Sequence, residues 1–108
     1  MTQLNGTFFT PVVIDDGDCL DVCPHCGGNN LHQGAVTIFS RYEDDDKVRV
    51  THVMPDQTIT SALVDNEQSN NPSSRRHGLL IAFECETCEN SPTLAIMQHK
   101  GTTFLGWK

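Results

Sequence analysis

Two short stretches of this sequence have residues suited to chemistry. Cys23-Pro24-His25-Cys26 and Cys85-Glu86-Thr87-Cys88 each set two thiols two residues apart, with 58 residues between the pairs. Two thiolates on one tight turn can chelate an ion from the same side. Two such turns complete a tetrahedral shell, with metal–sulfur distances of about 2.3 Å for zinc. The residues around the first pair suit a turn: Pro24 presets φ, and Gly27-Gly28 are free to take positive φ. The second pair is followed by Glu89-Asn90, where Asn90 also tolerates the left-handed region. The expected ligands are Cys23, Cys26, Cys85 and Cys88, and the expected cofactor is one structural Zn2+.

The first tetrapeptide also has a redox reading, because Cys-Pro-His-Cys is the active-site sequence of strongly oxidising thioredoxin-fold enzymes. That chemistry needs the leading cysteine at a helix N-terminus, whose dipole lowers its pKa. Here Gly27-Gly28-Asn29-Asn30 follow, four poor helix formers in a row. Nothing downstream alternates helix with strand. Thiol–disulfide exchange at Cys23 and Cys26 is therefore the lesser reading.

No catalytic residues are assigned. A catalytic zinc keeps an open coordination position beside a general base, whereas four thiolates close the shell. The H-x-E and P-C-x-x-C pattern of zinc deaminases is missing, as are a G-x-S-x-G elbow, a Walker A loop and a G-x-G-x-x-G turn. The protein is expected not to be an enzyme. Cys19 is read as a small semi-buried residue rather than a ligand, and His25 as pointing outward from the knuckle. His32, His52, His77 and His99 show no metal-binding spacing.

The elements that must position the cysteines read as strands. Apolar residues come in short β-branched or aromatic runs that end at turn residues. Phe8 to Ile14 is one run, with Pro11 marking an edge strand, and Asp15-Asp16-Gly17-Asp18 turns the chain after it. Residues 34–42 and 47–53 alternate on either side of Glu43 to Asp46 and form an expected hairpin. Ile59 to Val64 suits a short strand or a helical turn. Residues 65–78, polar and rich in Asn, Ser and Pro, read as an exposed loop. Leu79 to Glu84 is a continuous apolar run expected in a central strand, leading directly into Cys85. Thr93 to His99 and Thr102 to Trp107 form a closing hairpin turned at Lys100-Gly101. Leu105 and Trp107 share one face of it, with Trp107 expected to pack inside. The expected fold is mostly β, an antiparallel sheet in a single domain over residues 1–108.

Charge narrows the function classes. Fourteen acidic residues oppose seven basic ones, for a net charge of −7, so no diffuse positive field draws the chain to phosphate backbones. No run approaches the roughly 18 apolar residues of a membrane span, and no secretory leader is evident. A cytoplasmic, reducing setting is expected, where an odd count of five cysteines suits metal ligands plus one spare. The acidic runs lack the spacing of a calcium loop.

The motifs "CPHCGG" and "FECETCE", with the strands around them, resemble the zinc-ribbon superfamily. That resemblance implies a zinc knuckle on each of two β-hairpins and a supporting antiparallel sheet. The long interval between knuckles departs from the pattern and must hold a hairpin and a long loop of its own. Zinc ribbons serve many functions, so the resemblance names none. The expected function is that of a small acidic adaptor or modulator that binds a protein partner through the Glu43–Asp46 turn and the loop of residues 65–78. An inhibitor of a nucleic-acid-handling machine falls within that class. The alternative is direct nucleic-acid binding through Arg41, Lys47, Arg49, Arg75, Arg76 and Lys100.

Overall fold

The period-two alternation resolves into six strands. The computed structural model describes residues 22–28 and 30–108, with β1 (Leu31–Ser40), β2 (Lys47–Val53), β3 (Ile59–Asp65), β4 (Gly78–Cys85), β5 (Thr93–His99) and β6 (Thr102–Trp107). All pair antiparallel in one sheet of order β3-β2-β1-β4-β5-β6. Each half is a meander of three consecutive strands, and the halves join where β1 pairs β4. The expected central strand is thus β4, and Ile59 to Val64 is a strand. The expected strand at Phe8 to Ile14, the turn at Asp15 to Asp18, and Cys19 lie outside the described residues.

The β1–β4 pairing brings the distant cysteine pairs together. Leu31, which opens β1, lies opposite Cys85, which closes β4. A bulge between Gln33 and Val36 shifts the register along this seam. The first knuckle leads into β1 and the second leaves β4, so both sit at one end of the sheet. The turns between β1 and β2 and between β5 and β6 sit at the other.

Residues 65–78 are exposed along much of their length, and part of the stretch is also packed. The stretch starts in β3, makes a short 3-10 turn over Asn66–Gln68, and lies back on the sheet, where Ser73 is buried and Pro72 half-buried. Its polar side chains bind its own backbone. The Asn71 amide donates to the Asn66 side chain (3.1 Å) and to the Arg76 carbonyl (2.9 Å). The Ser73 hydroxyl donates to the Gln98 carbonyl on β5 (2.6 Å) and accepts the Arg75 and Arg76 N–H groups. Short polar side chains that satisfy nearby backbone groups let a hydrophilic segment order itself. Composition alone reads the same residues as solvated.

This strap closes the core. Phe39, Val48 and Val50 form a buried cluster with Val64 and Leu80 packed against it. Gly78, opposite Phe39 in the register, leaves room for Pro72: a Cβ there would stand 2.6 and 2.7 Å from the Pro72 ring carbons. The opposite face carries an apolar row across every strand, Ile59, Val53, Val36, Ile81, Leu94 and Trp107, each opposite the next. Trp107 is half-buried, edge-on to Phe83 at 5.6 Å between ring centroids.

Candidate metal centre

The two knuckles are built alike. In the first, the Gly27 N–H donates to the Cys23 carbonyl (2.8 Å) and the Cys23 N–H to the Gly28 carbonyl (2.7 Å). In the second, the Glu89 N–H donates to the Cys85 carbonyl and the Cys85 N–H to the Asn90 carbonyl, both at 3.1 Å. The residue after each second cysteine turns the chain with positive φ, 77° at Gly27 and 61° at Glu89. The left-handed residue of the second knuckle is therefore Glu89, whose Cβ makes that conformation costly, and not the expected Asn90. Asn90 acts otherwise: its side-chain amide donates to the Cys88 sulfur at 3.2 Å.

Backbone donors also reach the sulfurs. The His25 N–H lies 3.4 Å from the Cys23 sulfur and the Gly28 N–H 3.4 Å from the Cys26 sulfur. His25 thus serves the site through its backbone. The Glu86 N–H donates to the Asn30 carbonyl (3.1 Å), linking the second knuckle to the chain just before β1.

The four sulfurs of Cys23, Cys26, Cys85 and Cys88 all lie within 4.8 Å of one another. Cys23 and Cys88 are 3.7 Å apart and Cys26 and Cys85 are 3.6 Å apart. These are contacts between the knuckles, and each is far longer than a disulfide bond of about 2.0 Å. A regular tetrahedron with edges near these lengths has its centre about 2.2–2.3 Å from each vertex, which matches zinc–thiolate coordination. The donor set therefore fits a tetrahedral metal ion and is compatible with zinc.

The surroundings of the four thiols pull their ionisation apart. Cys88 is lowered to about 6, first by the Asn90 backbone N–H and then by its side-chain amide. Cys85 is also lowered, chiefly by the Cys88 N–H. The Gly28 N–H pulls Cys26 down as well, but desolvation and the neighbouring sulfurs of Cys88, Cys85 and Cys23 outweigh it and push that thiol up to about 12. A sulfur surrounded by ionised sulfurs holds its proton, and a divalent cation at the centre removes that conflict.

The Cys-Pro-His-Cys segment is a turn, and the next element is β1. It does not stand at a helix N-terminus, the feature that activates a redox cysteine. Asn90 is the contributor that the cysteine spacing did not reveal. Its one signal is an amide two residues beyond the last ligand.

The basic residues named for nucleic-acid contact gather at the end away from the knuckles, and several are engaged internally. Arg41 is buried, its Nε donating to the Asp45 carbonyl (2.6 Å) and its guanidinium to the Ser74 carbonyl (3.2 Å). Arg75 pairs with Glu43 (2.8 Å) and Asp44 (3.2 Å), and Lys47 pairs with Asp65. These contacts join the β1–β2 turn to the strap. The expected acidic docking turn is thereby partly neutralised from within.

Comparison of the chain with protein-family models, with curated proteins and with solved structures finds no match.

Proposed function

We propose that the protein is a non-enzymatic binding module, in which one zinc ion held by Cys23, Cys26, Cys85 and Cys88 is structural and the open sheet face docks a protein partner. The observation that supports this reading is the exposed apolar surface on the β1–β3 half of that face; toward β4–β6 the apolar row is covered, with Leu94 buried and Val36, Ile81 and Trp107 half-buried. On that face Ile38, Ile59 and Leu63 are 39%, 65% and 57% exposed. Exposed apolar surface of this extent costs solubility unless a partner covers it. A four-thiolate shell leaves a metal no open position for substrate, which supports a structural role. The docking surface proposed here is the sheet face, since the acidic turn and the strap are occupied with each other.

The test is affinity capture from a cell lysate with the zinc-loaded protein, with and without nuclease, beside an Ile38→Asp variant of equal zinc content. One protein retained through nuclease and lost with the variant supports an adaptor. Loss of all retained material on nuclease treatment refutes it.

Direct nucleic-acid binding has one observation in its favour, the clustering of basic residues at one end. Among the described residues Arg49, Arg76 and Lys100 there have no acidic partner. Three free cations predict a log–log salt slope of about −2 on single strands. No salt-sensitive binding to a labelled oligonucleotide excludes that reading.

A further inference from the structure

Among the described residues the sheet has an unguarded edge. β3 hydrogen-bonds to β2 on one side and, among the described residues, to no strand on the other. Proteins blunt such edges with prolines, bulges or lysines. β3, Ile59-Thr60-Ser61-Ala62-Leu63-Val64-Asp65, has none of these, and its seven pairs with β2 run without a register shift. Every residue of the strand but Val64 is exposed. Its one charge, Asp65 at the end, already pairs with Lys47.

The strand is also complementary to itself. Turned about a two-fold axis through Ser61, it sets Ile59 opposite Leu63 of the second copy and Leu63 opposite Ile59, two aliphatic cross-strand pairs on one face. Thr60 then faces Ala62, and Asp65 lies beyond the last strand pair, so no like charges meet across the seam. Such pairs are the stabilising unit of an antiparallel ladder. A foreign strand would need the same aliphatic spacing, which a second copy supplies without adjustment.

We propose that two copies of this chain pair antiparallel through β3, with Ser61 on the two-fold axis, to form one continuous sheet. The apolar row of each copy then ends at Ile59 beside Leu63 of the other, which widens the face available to a partner. A single strand per copy falls short of the 20–30 residues per side of a stable interface, so the dimer is a weak one. The net charge of −7 on each copy opposes association over a distance that salt shortens, from about 20 Å at low ionic strength to about 8 Å at 0.15 M. Added salt therefore tightens the dimer, opposite to its effect on nucleic-acid binding.

Sedimentation equilibrium of the zinc-loaded chain between about 5 and 500 µM tests this, with a Leu63→Lys variant of unchanged zinc content and circular dichroism. A monomer–dimer equilibrium in the stated range, weakened more than about tenfold by Leu63→Lys, is the expected result. In a Cys19→Ser background, Ser61→Cys should oxidise to a covalent dimer, whereas Ala62→Cys, which faces Thr60 and not itself, should not. A monomer throughout the range, a dimer indifferent to Leu63→Lys, or cross-linking at 62 in preference to 61 overturns the proposal. Partner capture is read separately with Ile38→Asp, so each idea can fail alone.

Discussion

Removing the metal should cost this protein most of its stability, and the geometry says where. Cys85 ends β4 and the Cys23–Cys26 knuckle leads into β1, so an ion held by the four cysteines would clamp the open end of the seam that joins the two meanders. The buried Phe39, Val48 and Val50 cluster and its strap lie toward the other end. Without an ion, the knuckle end keeps the Glu86–Asn30 backbone bond and the Phe83–Trp107 contact, but the four sulfurs no longer tie one knuckle to the other. A structural four-thiolate zinc site contributes on the order of 10 kcal/mol at neutral pH, against a total of about 5–15 kcal/mol for a typical domain. Even half of that contribution lowers the thermal midpoint by more than about 20 °C in a domain of this size.

The assay is thermal unfolding followed by the fluorescence of Trp107, which packs edge-on to Phe83, two residues before Cys85. It is run on the zinc-loaded protein and after exhaustive chelation, with released metal titrated to give the stoichiometry. One ion per chain and a collapse of the midpoint are expected, and Cys85→Ser should reproduce the chelated state. A midpoint within a few degrees of the loaded protein would refute the reasoning, because the β1–β4 seam would then stand without its clamp.

Gly78→Ala should destabilise by about 1–3 kcal/mol, since the new Cβ would fall 2.6 Å from the Pro72 ring and lift the strap off the core. Hydrogen exchange should show faster exchange at the Ser73, Arg75 and Arg76 amides, and unchanged exchange there would contradict the packed loop. The turn carboxylates set an acid limit. Asp45 is lowered chiefly by the Lys47 N–H, and Asp56 by Thr58, each from 3.8. A depressed carboxylate stabilises fully above its unfolded pKa, and that contribution is lost as pH falls through the folded value. Melting of Asp56→Asn beside the parent between pH 2.5 and 6 should therefore show a gap above about pH 4 that closes in more acid solution. A gap constant across that range would remove the Thr58 contact as its cause.

The two cysteine turns of the candidate metal site were legible in the sequence because C-x-x-C spacing is a local property. Two thiols on one turn are determined by the turn, and Pro24 and Gly27 reveal it. The strands were legible for the same reason, since alternation in Val36 to Ile38 or Val48 to Val50 reports a face before any partner is known. The closing hairpin at Lys100-Gly101 followed from its residues too. The strap was not legible. Asn71 and Ser73 read as solvated until their hydrogen bonds to Asn66, Arg76 and Gln98 are seen, and those need a sheet for the segment to lie on. The basic residues changed meaning likewise, because Arg41 and Arg75 find their partners only when the β1–β2 turn meets the strap. That Glu89 and not Asn90 takes the left-handed position is decided by how the knuckle closes on its carbonyl. Turns and periodicity are written in neighbouring residues and so belong to the sequence alone. The pairing of β1 with β4, which brings Cys23 and Cys26 to Cys85 and Cys88 and, among the described residues, leaves the edge of β3 bare, joins residues far apart in the chain, and only the tertiary structure could decide it.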